Sequence, residues 1–200
     1  MTGKLFIISA PSGAGKTSLA RALLADNDDI MMSISHTTRQ QRAGEVEGQD
    51  YFFVDQPIFL QMVEEGVFLE YAEVYGNYYG TSRVEVEGIL AAGKNVLLDI
   101  DWQGARSVRE QMSEAISISV LPPSVQELER RLRSRGSDSE DIIRGRMRQA
   151  MDEMVHCRES DHIVMNDNFN DALNDLTLII NGEGDSIRPL NVDLEKLLGA

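Results

Sequence analysis

A glycine-rich stretch near the start of the chain carries the residues best suited to chemistry. It reads Ser9-Ala-Pro-Ser-Gly-Ala-Gly-Lys-Thr-Ser18 and lies between an apolar run and a segment with helical periodicity. Gly13 and Gly15 allow the backbone to approach an anion, and N–H groups at a helix start point toward it. This is a Walker A pattern, although Ala10 stands where the usual form has Gly. It predicts a site for nucleoside triphosphate, with Lys16 at the terminal phosphates.

Two carboxylates lie at the carboxyl end of a second apolar run, residues 95–100. Asp99 ends the predicted strand there, and Asp101 follows two residues later. Because residues two apart on a strand share a face, we expect both carboxylates to point toward one site at the carboxyl end of the sheet. We predict Mg²⁺ as the cofactor that accompanies the nucleoside triphosphate, with the Thr17 hydroxyl and Asp99 as its ligands. The alternative is a pair of solvated strand-end carboxylates.

A second anion site is indicated between residues 33 and 81. Arg39 and Arg42 lie three residues apart in a predicted loop, Tyr51 follows, and Tyr79 stands near the end of the stretch. Guanidinium groups and tyrosine hydroxyls together can clamp one phosphate monoester through charge-assisted hydrogen bonds. An exposed arginine pair with structural tyrosines is the competing interpretation.

Carboxylates in the same part of the sequence suggest which base accompanies that phosphate. Glu70 or Asp101, if buried, could accept hydrogen bonds from a base with adjacent N–H donors. Guanine offers such donors and adenine does not, so the pattern favours a guanine nucleotide.

The remaining sequence alternates short apolar runs with helical segments, which is typical of an α/β protein with a parallel sheet. We expect a P-loop core whose sheet is covered by helices on both faces, formed by residues 1–34, 82–121 and 152–200. Residues 35–81 are expected to form a small mixed α/β nucleotide-binding insertion, and residues 122–151 a helical lid. The predicted core strands are residues 5–8, 95–100, 116–121 and 162–165, and the predicted core helices are 16–25 and 171–180. In the insertion we expect strands at 51–54 and 68–74 and a helix at 57–65; in the lid, two charged helical segments around Arg135.

Composition excludes several classes of protein. The chain has 200 residues, a net charge of −14 and one cysteine, Cys157. The acidic average disfavours nucleic acid as a partner, and no apolar run is long enough for a membrane span. A single cysteine favours a reducing, cytoplasmic location and excludes a disulfide framework. Oligomeric state is left open. Seven of the fifteen arginines lie between Arg130 and Arg148, which favours local handling of a small anion.

Five motifs in order resemble the guanylate kinases. Besides the glycine-rich stretch, they are Ser-His-Thr-Thr-Arg from Ser35, Gly-Asn-Tyr-Tyr-Gly-Thr from Gly76, Leu-Asp-Ile-Asp-Trp-Gln-Gly from Leu98 and Val-Met-Asn-Asp from Val164. The resemblance runs from Lys4 to about residue 180 and is to the bacterial type. It implies ATP-dependent, Mg²⁺-assisted phosphorylation of GMP, and by extension dGMP, with ATP and GMP as the small-molecule substrates.

The resemblance also assigns roles to individual positions. It places the ATP-binding residues at Ser12, Gly13, Ala14, Gly15, Lys16, Thr17, Ser18 and Asn166, with Asn166 near the adenine. It places the GMP phosphate at Arg39, Arg42, Tyr51 and Tyr79, and the guanine at Ser35, Glu70, Thr81 and Asp101. It places the transferring phosphoryl group at Lys16, Arg131, Arg135 and Arg146.

Three features depart from the family pattern. Gln41 stands where the family usually has Pro, which would loosen the loop that sets Arg42. Gly145 interrupts a predicted helix, and the acidic tail after Asn181 has no assigned role. Three alternatives are a non-catalytic guanylate-kinase-like protein-binding module, a kinase for another nucleoside monophosphate and an NTP hydrolase. The presence of Lys16 and Thr17 argues against the first.

Overall fold

The computed structural model describes residues 3–74, 76–134 and 140–199, and the chain divides into two compact units. The first unit is built from segments 1–6 and 29–115, and the second from segments 7–28 and 116–200. Within the described residues, no helix combines the length and the apolar character that crossing a membrane requires.

The described residues form nine strands and eight α-helices. The strands are β1 (Leu5–Ser9), β2 (Ile30–Met32), β3 (His36–Thr37), β4 (Phe52–Phe53), β5 (Phe68–Val74), β6 (Asn77–Ser82), β7 (Asn95–Asp99), β8 (Ile116–Leu121) and β9 (His162–Met165). The helices are α1 (Lys16–Ala25), α2 (Gln56–Glu64), α3 (Arg83–Ala91), α4 (Trp102–Gln111), α5 (Val125–Ser134), α6 (Glu140–Val155), α7 (Phe169–Ile180) and α8 (Leu194–Leu198). Short 3₁₀ turns lie at His156–Glu159 and Gly184–Ser186.

A five-stranded sheet has the strand order β2-β7-β1-β8-β9, and the pairs β2–β7 and β8–β9 are parallel. Every residue of β1 is buried, as expected for an apolar strand of a sheet flanked by helices. The α/β fold prediction is confirmed. The predicted bounds of α1, β8 and β9 agree with the structure, and those of β1 and β7 differ by one residue.

A four-stranded sheet in the first unit has the order β4-β3-β6-β5. β5 and β6 form an antiparallel hairpin, and an irregularity between Phe68 and Glu70 sets the register that pairs Glu70 with Thr81. The ring of Phe68 in β5 stacks on the ring of Phe59 in α2, with centroids 4.6 Å apart. The structure thus brings two residues expected to contact guanine into one cross-strand pair.

The second unit has a core that includes its C-terminal segment. Leu121, Leu128, Leu132 and Met165 form part of a buried cluster with residues of α6 and α8. Leu128 and Leu132 belong to α5, so the first charged helix predicted for the lid buries its apolar stripe in this core. The sequence pattern did not predict α8.

Candidate active site

The glycine-rich loop connects β1 to α1 and adopts backbone conformations that require glycine. Gly13 and Gly15 have φ angles of 97° and 100°, in the left-handed region that side chains disfavour. A Cβ atom on Gly13 would also lie 3.0 Å from Leu128 Cδ1 and 3.1 Å from Leu132 Cδ2. Glycine therefore serves both the turn and the close packing of α5 against the loop.

The N-terminus of α1 follows this loop directly. Gly15 is its N-cap residue, and among the described residues no side chain caps the helix or adds a carboxylate to its first turn. The positive end of the helix dipole and its first N–H groups can therefore interact with an anion. Thr17 and Ser18 are exposed in this turn, and Lys16 is half-buried.

Asn166 and Arg131 both donate hydrogen bonds to the backbone of the glycine-rich loop. The Asn166 Nδ2 atom donates to the Ala14 carbonyl at 2.7 Å, and Arg131 Nη1 reaches the same carbonyl at 3.4 Å. Arg131 Nη2 also donates to the backbone carbonyl of Asn166 at 2.8 Å. The structure therefore brings three predicted site residues together, and it places the Asn166 side chain on the loop backbone.

A carboxylate that sequence reasoning missed orients Arg131. Glu127 Oε1 accepts from Arg131 Nε at 2.8 Å and from Arg130 Nη2 at 2.7 Å. These two arginines, Arg130 first, lower the pKa of Glu127 to about 2. Spacings of three and four residues on a helix could have indicated the pairing.

The other two predicted lid arginines lie farther along the chain. Arg146 is half-buried on α6, and Arg135 lies outside the described residues. Their predicted contact with a phosphoryl group stays a prediction.

In the first unit, Arg39 is the centre of a cluster with Glu45, Tyr51 and Tyr79, which we call the Arg39 cluster. Its Nη1 and Nη2 atoms donate to the two Glu45 carboxylate oxygens at 3.0 and 2.7 Å. The guanidinium carbon lies 5.3 Å from the centre of the Tyr51 ring. Glu45 and, to a smaller extent, Tyr79 raise the pKa of Arg39. Three of the four residues predicted to bind the GMP phosphate therefore converge.

The loop around Arg42, the fourth of these residues, is closed by hydrogen bonds. The Arg42 backbone N–H donates to Glu45 Oε2 at 2.8 Å, and Gln41 Nε2 donates to the Glu45 carbonyl at 2.6 Å. The Arg42 residue itself is exposed. Gln41 thus ties the loop together by a side-chain contact that proline could not make. Sequence reasoning gave Glu45 no role, although it lies only six residues from Arg39.

Glu70 defines a second group, which we call the Glu70 pocket and which includes Thr81, Asp101 and Gly104. Glu70 is 5% exposed, and its Oε1 accepts from Thr81 Oγ1 at 2.5 Å. Burial, with a smaller contribution from the nearby Asp101 charge, raises the pKa of Glu70 to about 7, although the Thr81 hydrogen bond opposes this. Ser35 is half-buried beside β3, and its carbonyl accepts from the Phe52 N–H at 3.0 Å.

Gly104 completes the Glu70 pocket and was not predicted. A Cβ atom at this position would lie 2.7 Å from Glu70 Oε2. The carboxylate therefore packs against the first turn of α4, where only glycine leaves room. The family motif contains this glycine, but its proximity to Glu70 depends on the tertiary fold.

The strand-based argument for Asp101 was wrong. β7 ends at Asp99, and Asp101 is the N-cap of α4, where its Oδ1 accepts from the Gly104 N–H at 2.8 Å. Asp101 and Asp99 therefore do not share a strand face. A helix start explains the residue better, because aspartate is a favoured N-cap.

His36 and Cys157, which could act as reactive groups, are packed among other residues. The His36 ring lies 4.8 Å from that of Phe52, and burial lowers the pKa of His36. Cys157 is buried, and burial raises the pKa of its thiol. No group of three or more His, Cys, Asp or Glu among the described residues could hold a metal ion.

A glycine loop between a strand and a helix, together with a separate arginine and carboxylate site, defines the class of P-loop phosphotransferases. The model of the guanylate kinase family matches residues 2–183. The guanylate kinase of Escherichia coli (strain K12) is 56% identical over 183 residues, which cover 90% of this chain and 88% of that protein. The guanylate kinase of Yersinia pestis bv. Antiqua (strain Antiqua) is 55% identical over 183 residues, with the same shares covered.

A solved structure agrees with these relatives. The crystal structure of guanylate kinase from Anaplasma phagocytophilum superposes with a TM-score of 0.76 at 35% identity. The match covers 92% of this chain and 87% of that chain. The chain belongs to the guanylate kinase family.

Proposed function

We propose that this chain catalyses the reaction ATP + GMP → ADP + GDP, and that it does so through the residues described above. Family membership makes it a nucleoside monophosphate kinase with ATP and GMP as substrates. The observation that carries the choice of GMP is the buried Glu70–Thr81 pair in the same sheet as the strand that leads to Arg39. We extend the proposal to dGMP, because none of the assigned contacts requires a ribose hydroxyl.

ATP binds at the loop site, which comprises residues 9–18 with Arg131 and Asn166. Backbone N–H groups from Ser12 to Ser18 contact the phosphates, and Lys16 neutralises the terminal ones. Asn166 holds the loop through Ala14 and lies near the adenine. The exposed end of α1 and the glycine conformations support this assignment.

Thr17 and Asp99 are the proposed ligands of Mg²⁺. A hydroxyl and a carboxylate are the hard oxygen donors that suit this ion, and the Thr17 side chain stands exposed in the first turn of α1. Held by Thr17 and Asp99, Mg²⁺ would supply charge neutralisation at the ATP phosphates. Only one or two protein ligands are needed for it, because phosphates and waters complete the coordination.

GMP binds at the acceptor site, which comprises the Arg39 cluster, Arg42, Ser35 and the Glu70 pocket. Arg39, Arg42, Tyr51 and Tyr79 hold its phosphate. The ionised form of Glu70 and the side chain of Asp101 accept the guanine N–H groups, and Ser35 and Thr81 complete the base contacts. The convergence of Arg39, Tyr51 and Tyr79 supports the phosphate assignment.

The transfer itself needs positioning and charge neutralisation rather than a protein nucleophile. A GMP phosphate oxygen is already anionic, so we propose no general base. Lys16, Arg131, Arg135 and Arg146 stabilise charge on the transferring group. The insertion at 35–81 and the lid at 122–151 are proposed to exclude water from the transferring group, since water would otherwise compete as acceptor.

We further propose that the protein acts on small molecules in the reducing cytoplasm. Its net charge of −14 disfavours nucleic acid as a partner.

Release of ADP measured with one monophosphate at a time tests the proposal. We expect rapid ADP release with GMP, and release at no more than about 1% of that rate with AMP, CMP or UMP, because a buried polar pocket rejects bases that leave it unpaired. A dGMP reaction tests the extension separately. ADP release without any monophosphate would favour a hydrolase, and no release with any of them would favour a binding module.

A further inference from the structure

The segment after α7 holds an arginine whose side chain is bound from several sides. Arg188 lies beyond residue 183, where the match to the family model ends. Its backbone N–H and its Nε atom donate to the two carboxylate oxygens of Asp175, at 3.1 and 2.8 Å. Asp175 is only 2% exposed within α7. A buried carboxylate needs such a partner, so this ion pair fixes the C-terminal segment to α7.

The other guanidinium nitrogens of Arg188 reach the segment that contains Asn166. Nη2 donates to the Met165 carbonyl at 3.1 Å, and Nη1 lies 3.2 Å from Asp167 Oδ1. Asn191 Nδ2 adds a contact to the second Asp167 oxygen at 3.3 Å. The C-terminal segment therefore holds the chain on both sides of Asn166.

Asn166 transmits this constraint to the loop site. Its backbone N–H donates to the Leu121 carbonyl at 2.8 Å, and its side chain donates to the Ala14 carbonyl. Arg188 contacts Met165 and Asp167, so it restrains the backbone on both sides of Asn166. Hydrogen bonds, joined by the peptide bond between Met165 and Asn166, thus run from Asp175 through Arg188 to the glycine loop.

Apolar packing adds to the same connection. Leu197 and Leu198 of α8 belong to the buried cluster that includes Met165, Leu128 and Leu132. The last two are the side chains that would contact a Cβ atom on Gly13. The C-terminal segment therefore supports the loop from two directions.

We propose that Arg188 is a positioning residue for ATP binding, which holds Met165 and Asp167 so that Asn166 fixes the glycine loop. The inference rests on the proposed assignment of Asn166 to the ATP site. It gives the C-terminal segment a role in the affinity for ATP and none in the affinity for GMP.

The test compares Arg188→Met with Arg158→Met in the full chain. Arg158 also binds the C-terminal segment, through Glu195 at 2.6 Å, but this ion pair is exposed. We expect Arg188→Met to raise the KM for ATP about tenfold, as misplacement of a supporting group does, with the KM for GMP changed less than about twofold. Arg158→Met should leave both constants unchanged. An unchanged KM for ATP in Arg188→Met would overturn the proposal.

A second variant separates positioning from stability. Arg188→Met leaves Asp175 as a buried charge without this partner, which lowers the melting temperature. The double variant Arg188→Met/Asp175→Asn removes that charge, so we expect the melting temperature to recover while the KM for ATP stays raised. Recovery of both would show a merely structural role and would contradict the proposal.

Asn166→Ala, measured in parallel, distinguishes the two levels of inference. We expect it to raise the KM for ATP at least as much as Arg188→Met. If it has no effect, the ATP-site assignment fails and the role of Arg188 fails with it. If it raises the KM and Arg188→Met does not, only the positioning role is overturned.

Discussion

The proposed loop site and the proposed acceptor site use different kinds of groups to bind a phosphate. The loop site is formed by contiguous residues, and its donors are backbone N–H groups at the start of α1. The acceptor site gathers side chains from loops and strands between Ser35 and Asp101, which the four-stranded sheet and α4 bring together. A backbone site needs only the correct φ angles, whereas a side-chain site needs the tertiary fold.

The two sites also differ in how their charges are compensated. In the acceptor site, Glu45 pairs with the Arg39 guanidinium, and burial raises the pKa of Glu70 to about 7. At the N-terminus of α1, no described side chain provides a cap. We therefore expect GMP to replace internal partners of Arg39 and Glu70, and ATP to bind at the start of α1, where no described side chain provides a cap. We expect substitutions in the loop site to act on turnover or on ATP affinity, and substitutions in the acceptor site to act on GMP affinity and its pH dependence.

Lys16→Ala should have the largest effect. We expect the turnover number to fall by about a thousandfold or more, because removing a preorganised charge at the transferring group raises the barrier. The measurement is kcat at saturating GMP. Lys94→Ala is the control, since it removes the same charge from an exposed ion pair with Asp29 and should leave turnover unchanged. Near-normal turnover in Lys16→Ala would sink the loop-site assignment.

Glu70→Gln should act on GMP affinity. We expect the KM for GMP to rise about a hundredfold with the KM for ATP unchanged, because an amide cannot accept in place of both carboxylate oxygens. Glu73→Gln on the same strand is the control, since Glu73 is exposed. Equal effects of the two substitutions would show that Glu70 does not contact the base.

The raised pKa of Glu70 predicts two opposite pH effects. The KM for GMP in the wild type should fall as the pH rises through about 7, since the ionised carboxylate accepts the guanine N–H groups. As the pH rises from 4.5, the ordinary pKa of glutamate, to about 7, the unliganded protein should lose stability. The reason is that Glu70 keeps its proton to a higher pH in the folded state than in the unfolded state. Across this pH range, the change in the free energy of unfolding of the wild type should differ from that of Glu70→Gln by on the order of 3 kcal/mol. Parallel pH profiles of wild type and Glu70→Gln would contradict this.

The loop site was predictable because its conformations are encoded by adjacent residues. Gly13, Gly15 and Lys16 specify the turn and the helix start without help from distant parts of the chain, and α1 begins where the pattern predicts. The apolar runs of β8 and β9 were equally local. The resemblance to the family then placed Glu70 and Thr81 in one site, although only the hairpin register shows that they pair.

Features that depend on register or on distant packing were not predictable. The segment of β6 contains Asn77 and Gly80 and resembles a loop, yet it pairs along its length with β5. Gly104 weakens the helical pattern of α4, and its purpose becomes visible only when Glu70 lies beside it. α8 has five residues, too few for a helix without tertiary contacts, so the buried positions of Leu197 and Leu198 explain it.

Gly104→Ala tests the acceptor site with a smaller change. The added methyl group would displace the Glu70 carboxylate, because its carbon would lie only 2.7 Å from Glu70 Oε2, and we expect the KM for GMP to rise about tenfold. The KM for ATP should not change. Gly88→Ala is the matched control, because this helical glycine of α3 has no described atom within 4 Å of an added Cβ. A similar KM for GMP in both variants would show that Glu70 tolerates displacement.

Gly145→Ala should have the smallest effect. Gly145 lies in the second unit, which also contains the loop site. Gly145 is in the middle of α6, and no described atom lies within 4 Å of an added Cβ. Alanine favours the helix over glycine, so we expect a stabilisation of roughly 0.5–1 kcal/mol, visible as a rise of a few degrees in melting temperature. Gly88→Ala should give a similar rise in the unit of the acceptor site. If the melting temperature falls for Gly145→Ala but not for Gly88→Ala, α6 needs the backbone conformational freedom of glycine at this position. The helices of the two units would then differ in this requirement.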